Sequence, residues 1–134
     1  MSRRKSRMHA VQILFAIEMN EAPVSDMFKQ EIFEVTGDQV FTKMLVEGVL
    51  SHQVQIDDYL MRYMEGWELS RIGRVERAIL RLGVYEWLIQ KKIDRSVVFN
   101  EAVELAKAFG DEKTAKFVNG VLAKMKPLEA NEKN

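Results

Sequence analysis

Apolar residues recur along this chain at intervals of three and four, and no stretch alternates apolar with polar residues between turn signals as a half-buried strand would. Side chains three and four positions apart share one face of an α-helix, so the pattern calls for helices throughout. Only two prolines, Pro23 and Pro127, break it. An all-α fold is expected.

The first helix should run from about Arg4 to Met19, with Met8, Val11, Leu14, Phe15 and Glu18 on one stripe, and stop before Pro23. An acidic segment, Val24 to Val35, carries Met27, Phe28, Ile32 and Phe33 as its apolar face. Gly37-Asp38 then caps a helix from Gln39 to about Ser51. Ile56, Tyr59, Leu60 and Tyr63 mark a short fourth helix, and Glu65-Gly66-Trp67 reads as a hinge between halves that pack together. From Ser70 to Gln90 apolar residues spread around the cylinder, which puts this helix near the centre of the bundle. Asp94 or Ser96 caps the next helix, which Gly110 should end as a left-handed residue. Asp111 starts the last helix, Pro127 closes it, and the polar tail should fray. The chain is thus expected to be one unit, residues 1–134, with subdomains of about 1–66 and 67–128 and a tail at 129–134.

Several chemistries lack ingredients. There is no cysteine, so disulfides, a thiolate nucleophile and a cysteine-ligated zinc are excluded, and a reducing cytoplasmic setting is compatible. His9 and His52 fall in different predicted helices without metal-ligand spacing, and neither GxGxxG nor GxxxxGK[ST] occurs. Glu101 and Glu104, three apart on an amphipathic helix, read as exposed or ion-paired residues rather than a catalytic pair. Asn100 and Asn119 read as buried polar groups bonding helix ends. No catalytic residue, metal or cofactor is expected. The apolar run Ala10–Ile17 is followed at once by Glu18 and Glu21, which suits neither a signal peptide nor a membrane span of about 18 residues.

Charge is neutral in sum and uneven in placement. Lys and Arg number 20 against 20 Asp and Glu, yet Arg3, Arg4, Lys5 and Arg7 crowd the first turns of the first helix. A helix N-terminus carries partial positive charge and favours carboxylates there, so this cluster opposes the dipole unless an anion docks. Nucleic acid is the natural polyanion; a membrane surface or an acidic protein would also answer. Between Ile17 and Val40, by contrast, six carboxylates face the single cation Lys29, so the surface is polarised. A second candidate segment, Phe109 to Gly120, sets aromatics beside Lys113 and Lys116, where they could meet a base.

The run Gly73-Arg74-Val75-Glu76-Arg77-Ala78-Ile79-Leu80-Arg81-Leu82-Gly83-Val84-Tyr85-Glu86 resembles the NusB family of bacterial transcription antitermination factors. So do Asn100-Glu101-Ala102-Val103-Glu104-Leu105-Ala106-Lys107 and Lys116-Phe117-Val118-Asn119-Gly120-Val121-Leu122, and the basic start followed by Ala10-Val11-Gln12-Ile13-Leu14-Phe15. The resemblance spans Arg3 to Met125. It implies about seven helices in two packed bundles, no catalytic activity, and binding of boxA in nascent RNA together with the ribosomal protein NusE. The complex so formed would help RNA polymerase resist termination. Carried over by position, the RNA contacts are Arg3, Arg4, Lys5 and Arg7, then Phe109, Lys113, Lys116 and Phe117, and Glu76 is the residue facing NusE. Phe109 and Phe117 carry a core reading beside the RNA one. Lys113 stands where enteric relatives have an acidic residue, and Phe15 where tyrosine is common. Some members self-associate, and Met8, Phe15 and Phe117 would suit a homodimer contact. The competing reading is a protein-interaction module that binds a basic partner without touching RNA.

Overall fold

The computed structural model describes residues 3–20, 39–64 and 68–125. Among these stand six α-helices and no strand: α1 (Arg3–Asn20), α2 (Gln39–Ser51), α3 (Gln53–Met61), α4 (Arg74–Val84), α5 (Arg95–Phe109) and α6 (Glu112–Lys124). A short 3-10 turn, Leu69–Arg71, precedes α4, and a π-helical segment, Tyr85–Gln90, follows it. The segment Val24–Val35, Gly37-Asp38, the hinge at Glu65-Gly66-Trp67, Pro127 and the polar tail lie outside the described residues.

Ala78, Ile79, Leu80, Leu82, Gly83 and Val84 are all buried, so α4 has apolar residues on most of its circumference. A helix of that kind needs neighbours on several sides, and α4 packs against each of the other five. One buried cluster draws on all six helices, from Ile13 in α1 through Leu45, Leu60, Ile79 and Leu105 to Leu122 in α6.

The core face of α1 is rotated from the expected stripe. Val11 and Leu14 are buried, but Ala10 and Ile13 are completely so, while Met8 and Phe15 lie half-buried at the edge. Ser6 and Arg7 complete the inward face, and the Thr42 hydroxyl of α2 donates to the buried Ser6 carbonyl at 3.2 Å. Pattern reading assigns polar residues to solvent, and here two of them point in. Asn100 and Asn119, expected to be buried, are exposed.

The helix expected from Ser70 to Gln90 is also broken up. Gly73 is extended (φ −60°, ψ 149°) and serves as the N-cap position of α4. After Val84 the helix widens: the Lys91 N–H reaches the Glu86 carbonyl five residues back at 3.1 Å, and Lys91 itself adopts a left-handed conformation (φ 59°). Widening turns both Tyr85 and Glu86 inward. Tyr85 lies directly on Gly48 of α2, its ring occupying the space a Cβ there would take. Burial, with the adjacent Glu86 charge, holds the Tyr85 phenol above its ordinary value. His52 is tied into the same region, with Nδ1 2.8 Å from the Gly48 carbonyl oxygen and its ring 5.9 Å from that of Tyr85.

This contact makes a prediction. Gly48→Ala forces Tyr85 away and should destabilise the protein by about 1–3 kcal/mol in urea unfolding. Adding Tyr85→Leu should restore part of the loss; independent, additive effects would show that the two residues do not share that space.

Candidate functional site

The basic cluster forms the first two turns of α1, and its charges meet different surroundings. Arg7 is 7% exposed and donates two hydrogen bonds to Glu86, Nε to Oε1 at 2.7 Å and Nη2 to Oε2 at 2.9 Å. Burial depresses its pKa, but the hydrogen bonds and charge of Glu86 outweigh that and leave it raised. Arg4 is bidentate on Glu101 of α5 at 3.0 and 3.1 Å, yet its side chain stays half exposed. The Arg3 guanidinium lies 3.8 Å above the centre of the Phe41 ring. Arg3 and Lys5 are exposed. Carboxylates from distant elements therefore answer the unfavourable charge at the α1 N-terminus, while the outer cations remain turned to solvent. A cleft of about 220 Å³ opens beside them, lined by Arg3, Arg7, Phe41, Met44, Gln90 and Lys92 among others.

A second charged network holds the other end of α1. Glu18 faces Arg74, Arg77 and Arg81 of α4, with Arg77 closest, and Arg81 also grips Asp57 of α3 at 2.8 and 2.9 Å. Arg77 donates to the Leu69 carbonyl at 3.1 Å and so holds the 3-10 turn; burial, then the charge of Arg81, lowers its pKa. Glu76, the expected NusE-facing residue, is half-buried in the first turn of α4. Its carboxylate folds back over Gly73, with Oε2 2.5 Å from where a Cβ there would stand.

The second candidate segment spans the α5–α6 corner. Gly110 does not take the expected left-handed conformation (φ −131°, ψ −127°). Close approach is what requires glycine there, since a Cβ would stand 2.5 Å from the Thr114 hydroxyl oxygen. That hydroxyl and the Thr114 N–H both donate to Asp111 Oδ1, at 3.0 and 2.8 Å, capping α6. Lys113 and Lys116 are exposed, and Phe109 and Phe117 are half-buried with one side packed on the core. Both aromatics therefore belong to the core and to the surface at once. Arg95 ties the far end of this pair, donating to the Met125 carbonyl at 3.0 Å while lying 4.5 Å over the Phe99 ring.

Pattern reading gave Tyr63, Gly120 and Lys124 no site role. With Met64, Lys116, Phe117 and Val121 they line a groove of about 210 Å³ beside α6. The signal was present, because 113, 116, 117, 120 and 124 follow one another at helical spacing. Gly120 is exposed, and a Cβ there would meet nothing within 4 Å. A glycine inside a helix costs about 1 kcal/mol relative to alanine, and no neighbour among the described residues requires it. No group of three or more His, Asp or Glu suited to a metal occurs among the described residues, and none of their helices is long and apolar enough to cross a membrane.

Two outcomes are expected. Arg7→Met should cost about 3–5 kcal/mol in chemical denaturation because it strands the buried Glu86 carboxylate, and Arg7→Met with Glu86→Leu should recover most of that. The Thr114 hydrogen bonds hold the Asp111 carboxyl below its ordinary value of 3.8. A carboxylate depressed by folding stabilises above its unfolded pKa and loses that contribution as pH falls through the folded one. Asp111→Ala should therefore lower Tm at pH 7, and melting curves should show the gap to the unaltered chain closing below about pH 4.

The comparisons agree with one another. Residues 4–127 match the model of the NusB family. The transcription antitermination protein NusB of Bacillus velezensis is 45% identical over 126 residues, covering 94% of this chain and 96% of that one. The protein of the same name from Bacillus subtilis is 44% identical, covering 94% and 95%. Among solved structures, NusB of T. maritima superposes with a TM-score of 0.84 at 33% identity, covering 99% of this chain and 96% of that one. A crystal structure of antitermination factors NusB and NusE in complex with dsRNA superposes with a TM-score of 0.81 at 32% identity, covering 90% and 92%. By sequence along nearly its whole length and by fold, the chain belongs to the NusB family.

Proposed function

We propose that this chain is a non-catalytic RNA-binding adaptor in transcription antitermination. In this reading it holds boxA of nascent ribosomal RNA together with NusE, in the cytoplasm, and helps RNA polymerase resist termination. The observation that carries the reading is the setting of Arg3, Arg4 and Lys5, exposed cations on a helix end that the buried Arg7–Glu86 pair anchors. Support comes from the relatives named for antitermination and from the relative solved with NusE and dsRNA. Arg3, Arg4 and Lys5 would contact phosphates, with Arg7 positioning them from beneath. Lys113 and Lys116 would add phosphate contacts at the α5–α6 corner, and Phe109 and Phe117 would meet unstacked bases. Glu76 would face NusE. Residues of about 1–66 and 67–128 would form subdomains that act as one unit.

Phosphate contacts make affinity depend on salt, with a log–log slope of about −0.7 for each phosphate neutralised on a single strand. Fluorescence anisotropy of a labelled boxA RNA, alone and with NusE, tests the reading against a scrambled RNA of equal length. Arg3→Ala with Lys5→Ala should weaken boxA binding at least about tenfold and make the slope shallower by about 1.4. Affinity that ignores both salt and these substitutions would move the chain to the protein-interaction reading.

A further inference from the structure

Two arginines of the basic cluster grip carboxylates through the same edge. Arg7 gives Nε and Nη2 to Glu86, and Arg4 gives Nε and Nη2 to Glu101. Burial separates the two pairs. Arg7 and Glu86 lie almost wholly inside, so parting them would strand a charge away from water. The Arg4 side chain is half exposed against 17% for that of Glu101, and its guanidinium can leave into solvent at little cost. Glu101 cannot follow as easily, since it lies on α5 beside the buried Ala102 and one turn from the buried Val98 and Leu105. The pair is therefore a fixed carboxylate and a movable cation. Glu104 stands one turn further along α5, 3.9 Å from the Lys107 ammonium. The hydrogen bonds and charge of Glu101, joined by the charge of Glu104, hold the Arg4 pKa above its ordinary value.

We propose that Glu101 is a built-in competitor of RNA: it occupies the fork of Arg4 that suits a phosphate, and RNA engages the whole cluster only by taking Arg4 away from it. The assignment rests on the RNA-binding reading above. A guanidinium meets carboxylate and phosphate with the same pair of parallel N–H bonds, so both anions ask for one edge. Glu101 and Glu104 also set two negative charges beside the cations on which phosphates would dock. Exchange is close to balanced, one charge-assisted pair for another, which leaves the outcome to the contacts that Arg3 and Lys5 make on the same strand. The pair thus lowers affinity for every polyanion that reaches Arg4, and it does so without covering the surface.

Glu101→Gln removes the charge and keeps the shape of the side chain. In anisotropy titrations of the full chain with labelled boxA RNA it should tighten binding by about fivefold, the upper end for a half-exposed ion pair, with little change in Tm. The salt slope should steepen by up to about 0.7, because no freed carboxylate then takes up a cation as the phosphate sheds one. Glu101→Ala, also compatible with the helix, should show the same gain. Two controls separate competition from a general increase in positive charge. Glu104→Gln alters net charge equally without removing a hydrogen bond of Arg4, and should tighten binding less. In an Arg4→Ala background, Glu101→Gln should give no gain beyond that of Glu104→Gln. Unchanged or weaker binding in a well-folded Glu101→Gln would overturn the proposal while leaving the RNA reading intact, the weaker case showing that Glu101 orients Arg4 for RNA. An equal gain with and without Arg4 would overturn it as well and leave only the charge effect. Failure of the unaltered chain and all variants to bind RNA would overturn both.

Discussion

The buried pair of Arg7 and Glu86 is the interaction on which the layout of the charged surface depends. Taking a guanidinium and a carboxylate out of water costs several kcal/mol each, and only close, doubly hydrogen-bonded geometry offsets it. That geometry exists because the chain widens into a π-helical segment after Val84 and turns Glu86 inward. The pair then fixes the start of α1 against α4 and its extension, and with it the directions in which Arg3, Arg4 and Lys5 face. A single polar contact in the core thus determines the layout of the charged surface above it. Replaced by apolar residues of similar volume, it would leave the fold intact and remove the reason for that orientation.

Much of the architecture was legible from spacing alone. Gln39–Ser51 forms the helix expected from Gln39 to about Ser51, and the two C-terminal helices begin and end beside Asp94, Gly110 and Asp111 as their caps suggest. The central position of the helix after Gly73 followed from its breadth of apolar residues. What was not legible has one physical root: periodicity records the direction of side chains relative to one helix and carries nothing about partners. Ser6, Arg7 and Glu86 look solvent-facing until carboxylate and guanidinium meet across 79 positions. The π-helical widening has no local marker, since Tyr85 to Gln90 would serve an ordinary helix equally well. Gly110 shows a related ambiguity, because glycine answers a crowded neighbour, here Thr114, as readily as a left-handed turn.

The candidate surface divides along the same line. The basic cluster, the lysines of α6 and the flanking aromatics stand out in the sequence as unusual local concentrations of type. Their division of labour does not. Arg7 supports where Arg3 projects, and Phe109 and Phe117 pack on the core while staying only half-buried. Glu101 and Glu86 temper the cluster without neutralising it, so the first helix can end in three cations and still hold together.

The sequence distance between the cluster and its partners bears on how the chain is made. α1 leaves the ribosome before the carboxylates that hold its start, since Glu86 follows Arg7 by 79 residues and Glu101 follows Arg4 by 97. Domains fold during synthesis from the N-terminus only as far as their contacts have emerged. α1 can meet Thr42 and the rest of α2 early, but Arg7 waits through 79 further residues without its carboxylate. The cationic start of α1 is thus made well before the ion pairs that fix it.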